Sequence, residues 1–172
     1  YDRASGRMEP LFSARPVLEG KPLVPMWPVE IAARDGLTLV SYLTLPPHVD
    51  PTGRGRPTEP VPLVLLVHGG PWARDEYGYG GYTQWLANRG YAVLQVNYRG
   101  STGFGKDFVS ASNHEWAGKM HDDLIDGVEW AIKEGITTRD QVAIMGGSYG
   151  GYATLVGLTF TPEVFRCGVD IV

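Results

Sequence analysis

The chain has 172 residues, of which 43% are hydrophobic and 20% are charged, so it is long enough to bury a core and has the composition of a globular protein. Its formal net charge of −4 provides no basic surface, which argues against nucleic acid as a partner. No apolar run approaches the roughly 18 residues that a membrane span needs, so no membrane partner is expected either.

Residues 1–28 are rich in proline and lack hydrophobic periodicity, which predicts a tail or linker with one short strand at residues 10–13. The first residues include neither an initiator methionine nor the apolar core of a signal peptide, so we expect a chain cut from a longer polypeptide, and the sequence assigns it no compartment. From residue 29 the pattern becomes regular. Strand-like residues 29–33 and 38–45 flank Arg34-Asp35-Gly36, which predicts a β-hairpin with Asp-Gly at its turn.

After a proline- and glycine-rich surface loop at residues 46–62, strand patterns alternate with helical patterns. The predicted strands are 63–67, 91–96, 141–145 and 167–172. The predicted helices are 82–88, 121–134 and 149–159. This alternation predicts an α/β fold with a mostly parallel sheet and helices on both faces, to which the hairpin adds an antiparallel edge.

The helix predicted at residues 121–134 carries charges at favourable positions. Asp122 and Asp123 suit the positive N-terminal end of the helix dipole. Glu129 and Lys133 have the spacing of a stabilising ion pair on one helix face.

The run Gly146-Gly147-Ser148-Tyr149-Gly150-Gly151 stands between a predicted strand and a predicted helix. Strand, Gly-x-Ser-x-Gly and helix in this order are typical of the nucleophile elbow of the α/β-hydrolase fold, in which a sharp turn exposes the serine hydroxyl. The alternative is a glycine-rich phosphate loop with Walker-A glycine spacing, but Tyr152 stands where that motif needs lysine. We therefore expect Ser148 to be a nucleophile that requires a base and an acid, which follow the serine in this fold.

A second motif, His68-Gly69-Gly70-Pro71, directly follows the strand predicted at residues 63–67. Acyl transfer places negative charge on a carbonyl oxygen, and preorganised N–H groups must meet that charge. In this fold one donor is the N–H after the nucleophile, here Tyr149, and the other comes from the loop after an earlier strand. We expect Gly70 to supply the second donor, with Gly69 as the alternative and a structural Gly-Gly turn as the other interpretation. His68 is expected to orient this loop, because the base follows the serine.

We expect structural roles for the other reactive side chains. Arg99, in the glycine-rich loop 97–105, is expected to tie that loop by a salt bridge or backbone hydrogen bonds. His48 is expected to face solvent, His121 to hydrogen-bond locally, and the lone Cys167 to be a buried thiol. No metal-ligand spacing or cofactor motif is evident, so no metal or organic cofactor is expected.

Together these motifs resemble the prolyl oligopeptidase family of serine peptidases, in particular its branch of acylaminoacyl-peptidase-like and dipeptidyl-aminopeptidase-like enzymes. The resemblance runs over nearly the whole chain, and the order and spacing of several motifs make it more specific than the elbow alone. The matching segments are 34–36, 67–71, 97–103, 147–152 and 165–168.

The resemblance implies an α/β-hydrolase catalytic domain preceded by a β-propeller. Residues 1–28 then correspond to the end of that propeller and a connector, and residues 29–172 to the N-terminal portion of the catalytic domain, an incomplete fold whose C-terminal strands are missing. Ser148 is implied as the nucleophile, and Tyr149 and Gly70 as the N–H donors of the oxyanion hole.

The resemblance has two further consequences, one for the acid and base of the triad and one for His68. The triad Asp and His are implied to lie outside this chain, so Asp170, near the end of the last predicted strand, is expected to be an ordinary strand-end carboxylate. In related dipeptidyl peptidases a tyrosine that helps the oxyanion hole stands where this chain has His68, so a side-chain contribution to the hole is not implied here.

The implied activity is serine-peptidase hydrolysis of oligopeptides near their N-terminus through an acyl-enzyme on Ser148. Two alternatives stay open, namely a carboxylesterase, because ester and amide cleavage share this machinery, and a catalytically incomplete fragment or binding module. The 172-residue chain alone is expected to be inactive, with the rest of the parent polypeptide or another chain completing the fold. Oligopeptides are the expected substrate, and assembly into a homo-oligomer stays open.

Overall fold

The computed structural model describes residues 1–171 and arranges them as a six-stranded sheet with four α-helices. The strands are β1 Met26–Ala32, β2 Thr38–Thr44, β3 Leu63–Val67, β4 Ala92–Val96, β5 Val142–Gly147 and β6 Cys167–Ile171. The helices are α1 Gly81–Asn88, α2 Lys106–Ser110, α3 Lys119–Lys133 and α4 Tyr149–Phe160, and a 3-10 turn spans Pro16–Leu18. No helix within residues 1–171 combines the length and apolarity needed to cross a membrane.

The sheet has the strand order β1-β2-β4-β3-β5-β6. Strands β4, β3, β5 and β6 are parallel, and the β1–β2 hairpin joins β4 in antiparallel orientation. The parallel strands read as continuous apolar runs because helices cover both faces of the sheet. On one face α3 and α4 pack over the larger core, which includes Leu65, Ile144, Leu124 and Ala153. On the other face α1 contributes Leu86 to a smaller cluster with Val64, Val93 and Met145.

The hairpin forms where it was predicted, with Gly36 at its turn in a left-handed conformation at φ +87°. Strand β1 begins earlier than predicted, at Met26 instead of residue 29. It includes Pro28, which pairs with Tyr42. Because β1 has only β2 as a neighbour in the described sheet, the missing N–H of Pro28 can face away from the ladder. The division of the chain at residue 28 and its propeller origin stay predictions.

The strand predicted at residues 10–13 does not form. Leu11 and Phe12 are 87% and 85% exposed, and the segment has no neighbouring strand with which to hydrogen-bond. The short helix α2 lies in the glycine-rich region after β4 and was not predicted. Its five residues are too few to show a hydrophobic period.

Two side chains differ from their predicted environment. Glu129 pairs with Arg139 at 2.6 and 2.7 Å instead of with Lys133, because a guanidinium can engage both carboxylate oxygens. Cys167 is exposed, not buried. It is in register with Ala143 and therefore lies on the α1 face of the sheet, where α1 packs mainly over β4 and does not cover β6.

Arg99 holds three separate segments together, which extends its predicted role as a tie. Its guanidinium donates to the buried Asp123 carboxylate of α3 at 2.7 and 2.8 Å and to Asp35 of the hairpin turn at 2.9 and 3.1 Å. Its backbone N–H also donates to Asp123, at 2.8 Å. The Asp123 carboxylate thus holds the loop after β4. The predicted interaction with the helix dipole remains with Asp122, which lies in the first turn of α3 and pairs with Arg34.

Candidate active site

Ser148 lies at the turn between β5 and α4, as the elbow motif predicts. Its backbone has φ +55° and ψ −118°, a left-handed conformation that is unusual for a residue with a side chain. Ser148 is exposed, and its backbone N–H donates to the carbonyl of Ile171 in β6 at 3.0 Å. The turn is therefore fixed by the neighbouring strand while the hydroxyl remains accessible.

The glycines around Ser148 allow the turn to pack directly against the sheet. A Cβ on Gly150 would collide with the carbonyl of Val67, at the end of β3. A Cβ on Gly146 would collide with the backbone of Gly150. These two positions have no room for a side chain because backbone, which cannot rotate away, fills the space.

We expect Gly150→Ala to destabilise the protein by about 1–3 kcal/mol, because the added methyl group must displace β3 or α4. Gly81→Ala is the matched control, since Gly81 also lies in the first turn of a helix and a Cβ there meets nothing within 4 Å. The control should be neutral or stabilise by up to about 1 kcal/mol, because alanine favours helix more than glycine does. Urea unfolding of both variants checks this, and equal midpoints would contradict the close packing.

The loop after β3 lies beside Ser148. A Cβ placed on Gly69 would be 3.1 Å from the carbonyl oxygen of Gly147, 3.4 Å from Ser148 Cβ and 4.0 Å from Ser148 Oγ. Gly70 follows with φ +123°, where a side chain would be strained and would crowd the N–H of Trp72. Tyr149 is the first residue of α4, so its N–H has no acceptor within the helix. The two segments predicted to carry oxyanion donors therefore meet at Ser148.

His68 is fixed in place by its neighbours. Its Nδ1 donates to the carbonyl of Gly69 at 2.7 Å, and its Nε2 lies 2.9 Å from the Ser101 hydroxyl, which itself donates to the Tyr98 carbonyl at 2.6 Å. The ring stacks on Tyr98 with centroids 4.4 Å apart, and the Tyr98 hydroxyl donates to the His68 carbonyl at 2.9 Å. Burial lowers the pKa of the His68 imidazole, so the ring is neutral at about pH 7. Both ring nitrogens are engaged, which fits a role in orienting the loop.

Aromatic side chains surround the start of α4. Tyr149 stacks on Tyr98 with centroids 5.4 Å apart and meets the edge of Trp116 at 4.8 Å. Trp116 also contacts Tyr152, one turn further along α4, and both of these rings are substantially exposed. Sequence reasoning did not identify Trp116, because the loop between α2 and α3 that carries it has no periodicity.

The remaining candidates have surroundings other than the Ser148 hydroxyl. Asp170 lies in β6 with its carboxylate against Gly151 in the first turn of α4, and no described histidine pairs with it. His48 is exposed, as predicted, whereas His121, which was expected to hydrogen-bond locally, is 3.1 Å from the hydroxyl of Thr161, a residue 40 positions further along the chain. Within residues 1–171 no group of three or more His, Cys, Asp or Glu side chains could hold a metal ion.

A cleft of about 340 Å³ opens on the α1 face of the sheet, beside the backbone of Gly69, Gly146 and Gly147. Asp75 and Gln95 line it and were not identified from the sequence. Asp75 follows the His68-Gly69-Gly70-Pro71 motif closely in the chain, which in retrospect is the signal that could have singled it out.

Comparison with known proteins adds to this geometry. The family model described as "Prolyl oligopeptidase family" matches residues 78–172, which include Ser148 and Tyr149. The chain belongs to the prolyl oligopeptidase family. This confirms the resemblance read from the motifs, and with it the α/β-hydrolase fold with a mostly parallel sheet.

Two curated relatives match this prolyl oligopeptidase family chain along its whole length. Dipeptidyl aminopeptidase BIII of Pseudoxanthomonas mexicana is 77% identical over 172 residues, which cover 25% of that protein. Dipeptidyl peptidase family member 6 of Caenorhabditis elegans is 49% identical over 186 residues and is also covered to 25%. The chain therefore spans about a quarter of the length of the curated relatives it matches.

Solved structures of the family superpose on the same fold. Pyrococcus horikoshii acylaminoacyl peptidase matches with a TM-score of 0.82 and 25% identity, covering 96% of this chain and 26% of that one. A Mycobacterium tuberculosis puromycin-hydrolyzing peptidase matches with a TM-score of 0.74 and 29% identity, covering 83% of this chain and 21% of that one.

Proposed function

We propose that this chain supplies the nucleophile and the oxyanion hole of a serine peptidase that cleaves oligopeptides near their N-terminus. The observation that carries the proposal is the exposed Ser148 at φ +55°, with Gly69 so close to its side chain and to the Gly147 carbonyl that a Cβ there would contact both. A strained, exposed serine beside a glycine loop is the arrangement that acyl transfer needs.

In the proposed reaction, Ser148 Oγ attacks the carbonyl carbon of the scissile peptide bond, and its proton passes to a base. The resulting oxyanion accepts hydrogen bonds from the N–H of Tyr149 and from the N–H of Gly70 or Gly69. Collapse of the intermediate breaks the C–N bond, the leaving amine takes the proton, and an ester to Ser148 remains, which water hydrolyses. We propose that the base and the acid that orients it come from residues outside these 172.

The names of the relatives suggest which peptide bond is cleaved. The relative that is 77% identical is a dipeptidyl aminopeptidase, whereas the human acylamino-acid-releasing enzyme is 36% identical over 109 residues. We therefore favour release of dipeptides from a free N-terminus over release of an acylated residue. The exposed rings of Trp116 and Tyr152, near Ser148, offer an apolar surface for the side chain next to the scissile bond.

Turnover of three chromogenic substrates by the full-length protein tests the proposal. We expect a dipeptidyl-anilide with a free amine to have the highest kcat/KM, followed by an N-acetyl-aminoacyl-anilide. A short acyl ester that is cleaved while neither anilide is cleaved would support the carboxylesterase instead. No turnover of any of the three would support the binding module.

Removal of the Tyr98 hydroxyl should slow the chemistry without weakening substrate binding. The Tyr98 hydroxyl fixes the His68 carbonyl, which precedes the candidate oxyanion glycines. Loss of one hydrogen bond worth about 1 kcal/mol predicts a kcat that is about 5- to 10-fold lower in Tyr98→Phe, with KM little changed. Tyr91→Phe is the control and should leave kcat unchanged, because Tyr91 is exposed and precedes β4 at the amino end of the parallel strands, whereas this loop follows the carboxyl end of β3. An unchanged kcat in Tyr98→Phe would contradict a positioning role.

A further inference from the structure

Asp75 is fastened to the sheet by three hydrogen bonds at the edge of the cleft on the α1 face. The side-chain amide of Gln95, in β4, donates to Asp75 Oδ1 at 2.6 Å. The backbone N–H of Asp75 donates to Asn97 Oδ1 at 2.8 Å, and the Asn97 amide donates to the Asp75 carbonyl at 3.3 Å. The segment that follows the candidate oxyanion glycines is thereby tied to the end of β4.

Each partner in the shortest of these bonds also has a side-chain oxygen that lacks a hydrogen bond. Asp75 Oδ2 and Gln95 Oε1 are both buried and have no donor among the described residues. Gln95 as a whole is only 8% exposed, so water does not readily satisfy its amide oxygen. An ionised Asp75 would leave both oxygens as unpaired acceptors. A protonated Asp75 has one donor and one acceptor, as a carboxamide does, so one proton can satisfy both groups.

We propose that Asp75 holds a proton on Oδ2 and pairs as a carboxylic acid with the Gln95 carboxamide, and that this pair acts as a positioning element for the oxyanion loop. Asp75 itself does not touch the reacting atoms. Its influence passes through the backbone of residues 71–75. This role rests on the proposed function, whereas the protonation of Asp75 does not.

The charges around Asp75 agree with a protonated carboxyl. Burial raises the pKa of Asp75 to about 7, and the hydrogen bond from Gln95 acts against this shift without cancelling it. The sequence neighbours Arg74 and Glu76 pair with each other at 3.5 Å. No described cation forms an ion pair with Asp75.

No Lys or Arg side chain lines the cleft among the described residues, so no fixed cation there favours an ionised Asp75. His68, after β3, has its pKa lowered by burial, which favours the neutral imidazole, and Tyr82 of α1 also lines the cleft. Tyr98, which follows β4, has its pKa raised by burial and stays protonated. Asp75 is the one carboxyl group that lines this cleft among the residues that the structure describes.

The sign of the pH effect follows from the raised pKa. A proton that binds more tightly in the folded state stabilises it fully below the unfolded value of 3.8, and this stabilisation is lost as pH rises through about 7. Asp75→Asn, which keeps the shape but cannot ionise, should therefore gain stability relative to the native protein as pH rises towards 7 and then reach a plateau.

Difference infrared spectroscopy of the full-length protein tests the protonation directly. We expect a carbonyl band of a protonated carboxylic acid that disappears as pH rises, with a midpoint at about pH 7. The band should be absent in Asp75→Asn and should shift in frequency in Gln95→Met. The band and its midpoint are measured in the native protein. A variant that fails to fold would therefore affect only the assignment of the band to Asp75. A band that titrates near pH 4, as for an ordinary carboxyl, would overturn the proposal. Asp140→Asn, at an exposed position, is the control and should leave the band unchanged.

The positioning role has its own measurement. The ratio of kcat for Asp75→Asn to kcat for the native protein should rise several-fold from about pH 6 to about pH 8, with no matching change in KM. A flat ratio in a protein that shows the infrared band would overturn the positioning role and leave the protonated pair intact. If Ser148 is not the nucleophile, the proposed function fails while the band and its titration remain.

Discussion

Replacing Ser148 with alanine in the full-length protein is expected to lower kcat for a dipeptidyl-anilide by about 10⁴- to 10⁶-fold. Ser148 carries the exposed hydroxyl at the elbow, where its strained backbone presents it for attack on a substrate carbonyl. A residual rate above the rate in water is still expected, because the oxyanion donors and substrate binding remain. Steady-state kinetics at saturating substrate measures the loss.

Ser110→Ala is the matched control for this experiment. Ser110 is an exposed serine in α2, away from the elbow, and its replacement should leave kcat within about 2-fold of the native value. A Ser148→Ala protein that retains normal turnover, with its mass verified to exclude contaminating native enzyme, would show that another residue carries the chemistry.

The second large effect concerns the buried ion pair of Arg99 and Asp123. Arg99→Met should lower the free energy of unfolding by about 3–5 kcal/mol, because it leaves the fully buried Asp123 carboxylate without a counter-charge. Burial raises the pKa of Asp123, and the hydrogen bonds from Arg99 act against this, so part of the cost is relieved by protonation. The loss should therefore be smaller at pH 5 than at pH 8, as measured by urea unfolding.

An exposed ion pair provides the comparison. Arg139 pairs with Glu129 through two short hydrogen bonds, but its side chain is 60% exposed, so Arg139→Met should lower the stability far less than Arg99→Met does. The double variant Arg99→Met with Asp123→Leu should recover most of the stability, since it removes the buried charge altogether. Equal losses for Arg99→Met and Arg139→Met would contradict the importance of burial.

The sequence predicted those features that short segments determine by themselves. The elbow, the hairpin turn and the strand Leu63–Val67 were located correctly because glycine positions and apolar runs encode them locally. The tie formed by Arg99 was expected, but its partners Asp35 and Asp123 were not, since they come from segments far apart in the chain.

The features that were missed depend on tertiary contacts. The hydrogen bond of Asp75 to Gln95 joins a loop to a strand 20 residues away, and neither residue type is unusual where it stands. Trp116 meets Tyr149 only because the loop before α3 folds back over α4. Glu129 was assigned to Lys133 by helical spacing, whereas Arg139 reaches it from beyond the helix. Local spacing therefore predicted the turn between β5 and α4 but not the side-chain contacts around it.

Labelling with a fluorophosphonate probe tests the central claim most directly. The probe reacts with an activated serine, so the full-length protein should gain the mass of a single adduct, and peptide mapping should place that adduct on Ser148. An adduct on another serine, or full peptidase activity after incubation with the probe and no adduct, would contradict the assignment of Ser148 as the nucleophile.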